Sequence, residues 1–198
     1  MKYLQIIVAP DAMQDEVHFL LNQLMNRIHG IIRKNKLNIG IDFPQATNIS
    51  NGRLLRLFST SENDLNTVKN NDGILNFVKR GMFVIKDQIL DVPENALQYR
   101  IAPCRSANKN YVKKKIKRQQ KFFIEKGLDK KELKKAMEQY REIMHKKLHT
   151  PTPYFLVNKD DRKIPIHYKS FQADNISENK FNFNSYGLCN LDTFIYRF

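Results

Sequence analysis

A histidine followed at once by a glycine, His29-Gly30, stands at the edge of an apolar helical stripe, and further along Lys109–Lys121 holds seven basic side chains and no acid. These two features could do chemistry together. A run of cations without acids at i±4 reads as a phosphate-binding element, because an ordinary solvated helix interleaves its charges. If the phosphate belongs to RNA, one histidine suffices for a reaction. The ribose 2′-OH attacks the adjacent phosphorus once a group of near-neutral pKa takes its proton, with cations around the developing charge. On pattern alone two readings of His29 stay open. It is either a base facing a ligand, with Gly30 allowing a close approach, or a flank histidine covering the core, which the pattern favours.

The other histidines give less. His145 and His149 are spaced i,i+4 without an acidic or cysteine companion, and His18 and His167 are equally isolated, so all four read as polar surface or structural residues. Cys104 and Cys189 are too few for a disulfide framework and too far from other ligands for zinc. They read as reduced structural thiols, and neither a metal nor any other cofactor is expected.

The charge is unevenly spread. Of the formal +14, residues 104–198 contribute +12 (22 Lys/Arg against 10 Asp/Glu) and residues 1–103 only +2 (12 against 10). Taken as a helix, Tyr111–Phe123 puts Val112, Ile116 and Phe123 on one stripe, with Lys114, Lys117, Arg118 and Lys121 on the far side. One face docks on protein and the other meets phosphates. Charge does not separate RNA from DNA, but an RNA major groove admits a helix only near loops, bulges or ends, so an RNA reading implies a short hairpin. Arg100 and Arg105, just before the helix, are placed to contact bases or phosphates beside it.

The elements that must position these residues follow from periodicity. Residues 2–9 read as a strand and Val17–Ile32 as an amphipathic helix; Asn38–Phe43 and Leu54–Ser59 read as two strands. A helix starting at Ser61 and running through Val78, then a strand in FVIKDQILDV, complete the order βαββαβ. This predicts an α+β protein whose residues 1–95 form a ferredoxin-like domain carrying His29. Residues 96–198 are expected to form a second, basic domain that, on the RNA reading, binds a hairpin. It consists of an extended YRIAPCR, the basic helix, a stop at Gly127, a second helix capped by Asp129, and a small β region in PYFLV, KFNFNSYGL and TFIYRF.

At 198 residues and 41% hydrophobic content, with 13 Phe and 8 Tyr, the chain buries a real core, which excludes global disorder. No run approaches the ~18 apolar residues of a membrane span, and acids come too early for a signal peptide. A cytoplasmic protein without a membrane partner, monomeric when free, is the expectation.

Several motifs taken in order resemble the type I-F family of CRISPR precursor-RNA endoribonucleases. They are His29-Gly30, Ile39-Gly40-x-x-Phe43-Pro44, Tyr99-Arg100 ahead of Lys113-Lys114-Lys115-Ile116, and Tyr186-Gly187-Leu188 near an aromatic C-terminus. The resemblance implies metal-independent cleavage at the base of a repeat hairpin, leaving a 2′,3′-cyclic phosphate and a 5′-OH. It also implies retention of the mature guide RNA beside other subunits of a type I-F surveillance complex. His29 then corresponds to the general base and Tyr186 to the tyrosine that orients it. Lys114, Lys115 and Arg118 correspond to the basic-helix ligands, with lysine replacing the usual arginine, and Arg105 to the linker arginine that reads a guanine; Lys113, Lys117 and Lys121 join them as RNA-binding candidates by their charge on the same helix. Relatives carry a serine-rich segment after the position of Pro153, whereas this chain has YFLVNKDDRK. Lys159 takes roughly that place and is expected to meet the scissile phosphate as a cation. The missing serine and the lysine-rich helix also fit a second reading, a non-catalytic RNA-hairpin-binding subunit on the same fold. A DNA-binding regulator rests on charge alone.

Overall fold

The computed structural model describes residues 1–86, 88–159, 162–173, 181–190 and 193–198, with Lys159 described by its backbone only. They fall into two compact units, Met1–Pro103 with Pro153–Phe198, and Cys104–Thr152. The chain therefore leaves and re-enters the first unit, where the sequence suggested one division near residue 95.

The first unit opens with β1 (Lys2–Val8), α1 (Gln14–Asn35), β2 (Gly40–Asp42) and β3 (Leu54–Ser59). It continues through α2 (Glu62–Lys69), α3 (Asp72–Lys79), β4 (Phe83–Ile85) and β5 (Leu90–Asp91). The strands lie in the order β2-β3-β1-β4, every pair antiparallel, with β5 also on β1. That is the order of a βαββαβ unit, as expected from the sequence. Helix α1 forms because Val17, Leu21, Leu24, Met25, Ile28, Ile31 and Ile32 recur at helical spacing, and all are buried. The Glu16 carboxylate accepts from the Met13 N–H at 2.8 Å, satisfying one orphan donor at the helix start.

Two expectations about this unit change. The single helix from Ser61 to Val78 is broken at Asn70-Asn71, because the Asn71 side chain accepts from the Gly73 N–H and starts α3 anew. The single strand FVIKDQILDV is two short ones. Its register on β1 slips by two between Ile6↔Ile85 and Tyr3↔Leu90, which interrupts the ladder as a bulge does.

A second antiparallel sheet completes this unit, in the order β7-β8-β6-β9, from β6 (Leu97–Pro103), β7 (Tyr154–Lys159), β8 (Arg162–Gln172) and β9 (Ile195–Arg197). Strand β8 lies outside the three β-like runs, PYFLV, KFNFNSYGL and TFIYRF, that the sequence suggested. Its Arg162–His167 half pairs with β7 and its Tyr168–Gln172 half with β6. Pro165 lies in the half with one neighbour, where a missing N–H leaves no ladder bond broken. Of KFNFNSYGL, Lys180 lies outside the described residues, and the rest is a turn closed by a Phe183↔Cys189 bridge. One core joins residues of both sheets with α1, from Leu4 and Ile28 to Phe155, Tyr168 and Ile195. The Arg197 guanidinium reaches the fully buried Asp42 carboxylate at 2.6 and 3.3 Å, tying β9 to β2. Burial raises the Asp42 carboxyl above the usual range, while Arg197 and Arg56 act against that shift.

The second unit is a pair of packed helices, α4 (Lys109–Glu125) and α5 (Lys130–His149), preceded by one short turn of helix at Arg105–Ala107. Asn108 caps α4 through bonds from the Asn110 and Tyr111 N–H groups, and Asp129 caps α5 in the same way. Gly127 takes φ +77° just past α4, the left-handed conformation that ends a helix at a glycine.

Candidate functional site

The site around His29 is assembled from the middle of α1, the segment 181–190 and the end of β7, all in the first unit. His29 is 8% exposed on α1. Its Nδ1 lies 2.6 Å from the Ser185 carbonyl oxygen. A carbonyl only accepts, so Nδ1 carries the proton, and in the neutral ring Nε2 holds the free lone pair. The Tyr186 ring stacks on the imidazole at 4.5 Å between centroids and 16° between planes.

Asparagines and glycines bring Ser185 and Tyr186 to this place. Asn38 grips the passing chain from both sides, donating to the Phe181 carbonyl at 2.6 Å and accepting from the Phe183 N–H at 3.1 Å. At Gly40 a Cβ would fall 2.5 Å from the Phe183 ring, so only glycine lets that ring lie against β2. Asn184 closes the turn, accepting from the Tyr186 and Leu188 N–H groups. Gly187, at φ +73°, crosses Ile41 and accepts the Ile41 N–H at 2.8 Å through its carbonyl. The Gly40 and Gly187 motifs are thus the two halves of one docking that presents Tyr186 to His29.

Strand β7 is held by the same device. Asn22 accepts from the Leu156 N–H at 2.7 Å, while Asn26 donates to the Leu156 carbonyl at 2.9 Å and accepts from the Asn158 N–H at 2.6 Å. Two helix amides thereby replace a neighbouring strand along the free edge of β7. Asn26, His29, Gly30, Arg33, Lys34 and Asn158 line a groove of about 540 Å³. Arg33 and Lys34 give it positive charge beside the histidine. Their i+4 spacing from His29 and Gly30 is legible on the helical pattern, but Arg33 and Lys34 stand in a sparser run of charge than the lysines of α4.

Lys159 ends β7 opposite Arg162, one residue beyond Asn158, and its side chain lies outside the described part of the structure. Arg100 sits on β6, where its Nη2 donates to the Asn190 carbonyl at 3.1 Å and its guanidinium lies 5.6 Å from the Phe171 ring centroid. It is therefore already held by its own chain.

In the second unit Lys113, Lys114, Lys115, Lys117, Arg118 and Lys121 are all exposed along α4, and Arg105 is exposed at the turn before it. Val112 of α4 and Met137 and Met144 of α5 are buried. The helix therefore has the two faces its sequence suggested, one apolar and packed, one cationic and open to solvent. No group of three His, Cys, Asp or Glu side chains suited to a metal occurs among the described residues.

A family model described as CRISPR-associated protein (Cas_Csy4) matches residues 3–194 of the chain. Among curated proteins, none matches.

Proposed function

Because the chain belongs to the Cas_Csy4 family of CRISPR-associated proteins, we propose that it is an endoribonuclease that binds the repeat stem-loop of precursor CRISPR RNA and cuts at the base of the hairpin. The single observation that carries this reading is the hydrogen bond from His29 Nδ1 to the Ser185 carbonyl, which leaves Nε2 as the basic nitrogen beside Arg33 and Lys34.

Nε2 takes the proton of the 2′-OH, and the 2′-oxygen forms a bond to the adjacent phosphorus. The bond from phosphorus to the 5′-oxygen breaks, and that oxygen leaves with a proton supplied by the imidazolium or by water. The products are a 2′,3′-cyclic phosphate and a 5′-OH. Tyr186 holds the imidazole plane, and Arg33 and Lys34 offset charge building on the phosphate. Lys159 contacts the same phosphate, and wild-type cleavage by Lys159→Ala would remove it from the site. The α4 cations and Arg105 grip the stem, and Arg100 contacts the RNA from β6. The protein then stays on its product, at the 3′ end of the guide RNA, within a type I-F surveillance complex.

The low exposure of His29 favours a second reading, a subunit that binds the hairpin without cutting it. One experiment separates the two. The protein is incubated in EDTA with its repeat hairpin and with a copy bearing 2′-deoxyribose at the scissile nucleotide. Cleavage of the unmodified RNA alone is the expected result, with His29→Ala binding but not cutting. Binding of both RNAs with no cleavage by the wild type would establish the second reading instead.

A further inference from the structure

A larger cleft, about 920 Å³, runs along the exposed face of α1 in the first unit. Its lining includes Phe19, Gln23, Arg27, Lys34, Asn70 and Lys163, and it shares Asn26, Gly30, Lys34 and Asn158 with the groove at His29. The two depressions are therefore continuous. Neither the packing of the core nor the step at His29 requires this second one.

Gly30 marks its floor. A glycine within a helix is costly relative to alanine, and the usual structural excuse is a neighbour too close for a Cβ. Here a Cβ would meet nothing within 4 Å outside its own turn of helix. The protein itself does not ask for glycine at this position, so the open space above it is room for something else.

The chemistry of the walls says what. Arg27, Lys34 and Lys163 outnumber the one carboxylate, Asp72, which suits an anion. The Gln23, Asn70 and Asn158 amides can each donate and accept, as base edges require. Phe19, 57% exposed at one end, offers a ring face on which an unpaired base can stack. From Phe19 to His29 the helix rises ~15 Å, room for roughly four nucleotides at stacked spacing.

We infer that this cleft binds single-stranded RNA, namely the unpaired strand that continues 3′ from the scissile phosphate, away from the hairpin. This rests on the proposed repeat-RNA cleavage. The 3′ strand is favoured because its first nucleotide is bonded to the phosphate at His29, whereas the 5′ flank leaves from the opposite strand of the stem.

The test measures dissociation constants at one fixed salt concentration for repeat hairpins carrying 2′-deoxyribose at the scissile nucleotide. One RNA ends a single nucleotide past the scissile phosphate, one extends four further nucleotides 3′, and one extends equally 5′. The 3′ extension is expected to tighten binding about tenfold, the effect of stacking one base on an aromatic ring. Phe19→Ala and Gln23→Ala lose that gain while binding the short hairpin as the wild type does. Gly30→Leu loses it too, with a melting temperature at or above that of the wild type. Equal affinity for the short and 3′-extended RNAs overturns the inference, as does an equal gain from the 5′ extension or a gain that survives all three substitutions. Failure to bind any hairpin removes the reading on which it rests, and the inference with it.

Discussion

The imidazole of His29 and the ring of Tyr186 lie face to face, 4.5 Å between centroids and 16° from parallel, although 156 positions separate His29 from the carbonyl of Ser185 beside that tyrosine. On the proposed reaction, contact through the ring face, with the neighbouring backbone carbonyl holding Nδ1, would make the aromatic plane the positioning element and the phenol oxygen secondary. Tyr186→Phe is therefore expected to cleave the repeat hairpin close to the wild-type rate. Tyr186→Ala, which loses a ring pair worth about 1 kcal/mol, should fall about fivefold in single-turnover rate with hairpin affinity unchanged. Equal loss in both variants would assign the effect to the hydroxyl.

The Asn26 amide serves Leu156 and Asn158 at once. Asn26→Leu keeps the volume but strands a carbonyl and an N–H at the edge of β7, and should destabilise the protein by about 2–4 kcal/mol. Urea unfolding measures this, and hydrogen exchange at the Asn158 amide should accelerate by more than that at the Ile28 amide. A uniform acceleration would mean that the clamp supports the whole fold and not the strand.

Burial pushes the Cys189 thiol up to about 11 from 9.0, although the Ile101 N–H donates to Sγ at 3.4 Å and opposes the shift. A group whose folded pKa is raised contributes stability that is intact below its unfolded pKa, here near 9, and is lost as pH rises through the folded value near 11. The stability advantage of the wild type over Cys189→Ala should therefore shrink by about 2 kcal/mol between pH 8 and pH 11. An advantage constant across that range would show that the thiol titrates alike in the folded and unfolded states.

Lys114 and Arg118 are spaced i,i+4 on the exposed face of α4. Replacing either with alanine should weaken hairpin binding, lower the slope of log affinity against log salt by about 1, and change folding stability by less than about 0.5 kcal/mol. An unchanged salt slope would mean that the side chain meets no phosphate.

Much of this was readable from local signals. The α1 stripe, the Ser61 and Asp129 helix starts, the Gly127 stop and the two faces of α4 depend on residues within a turn or two of each other, so the chain carries them without needing its fold. The strand order of the first sheet followed from βαββαβ and short antiparallel connections. Local signals misled where a side chain competes with the backbone, as at Asn71, and they missed β8, whose pairing with β6 and β7 defines it.

By itself the sequence determined which side chains could do chemistry: one histidine beside a glycine, a cationic helix, and a tyrosine-glycine pair near the end. Only the tertiary structure decided that His29 and Tyr186 stack, that a carbonyl selects the protonated nitrogen, and that Arg33 and Lys34 share the groove. The reason is that Asn22, Asn26 and Asn38 make their bonds to backbone 130 to 145 positions away. A backbone amide or carbonyl is the same at every residue, so no pattern of side chains announces which one an asparagine will hold.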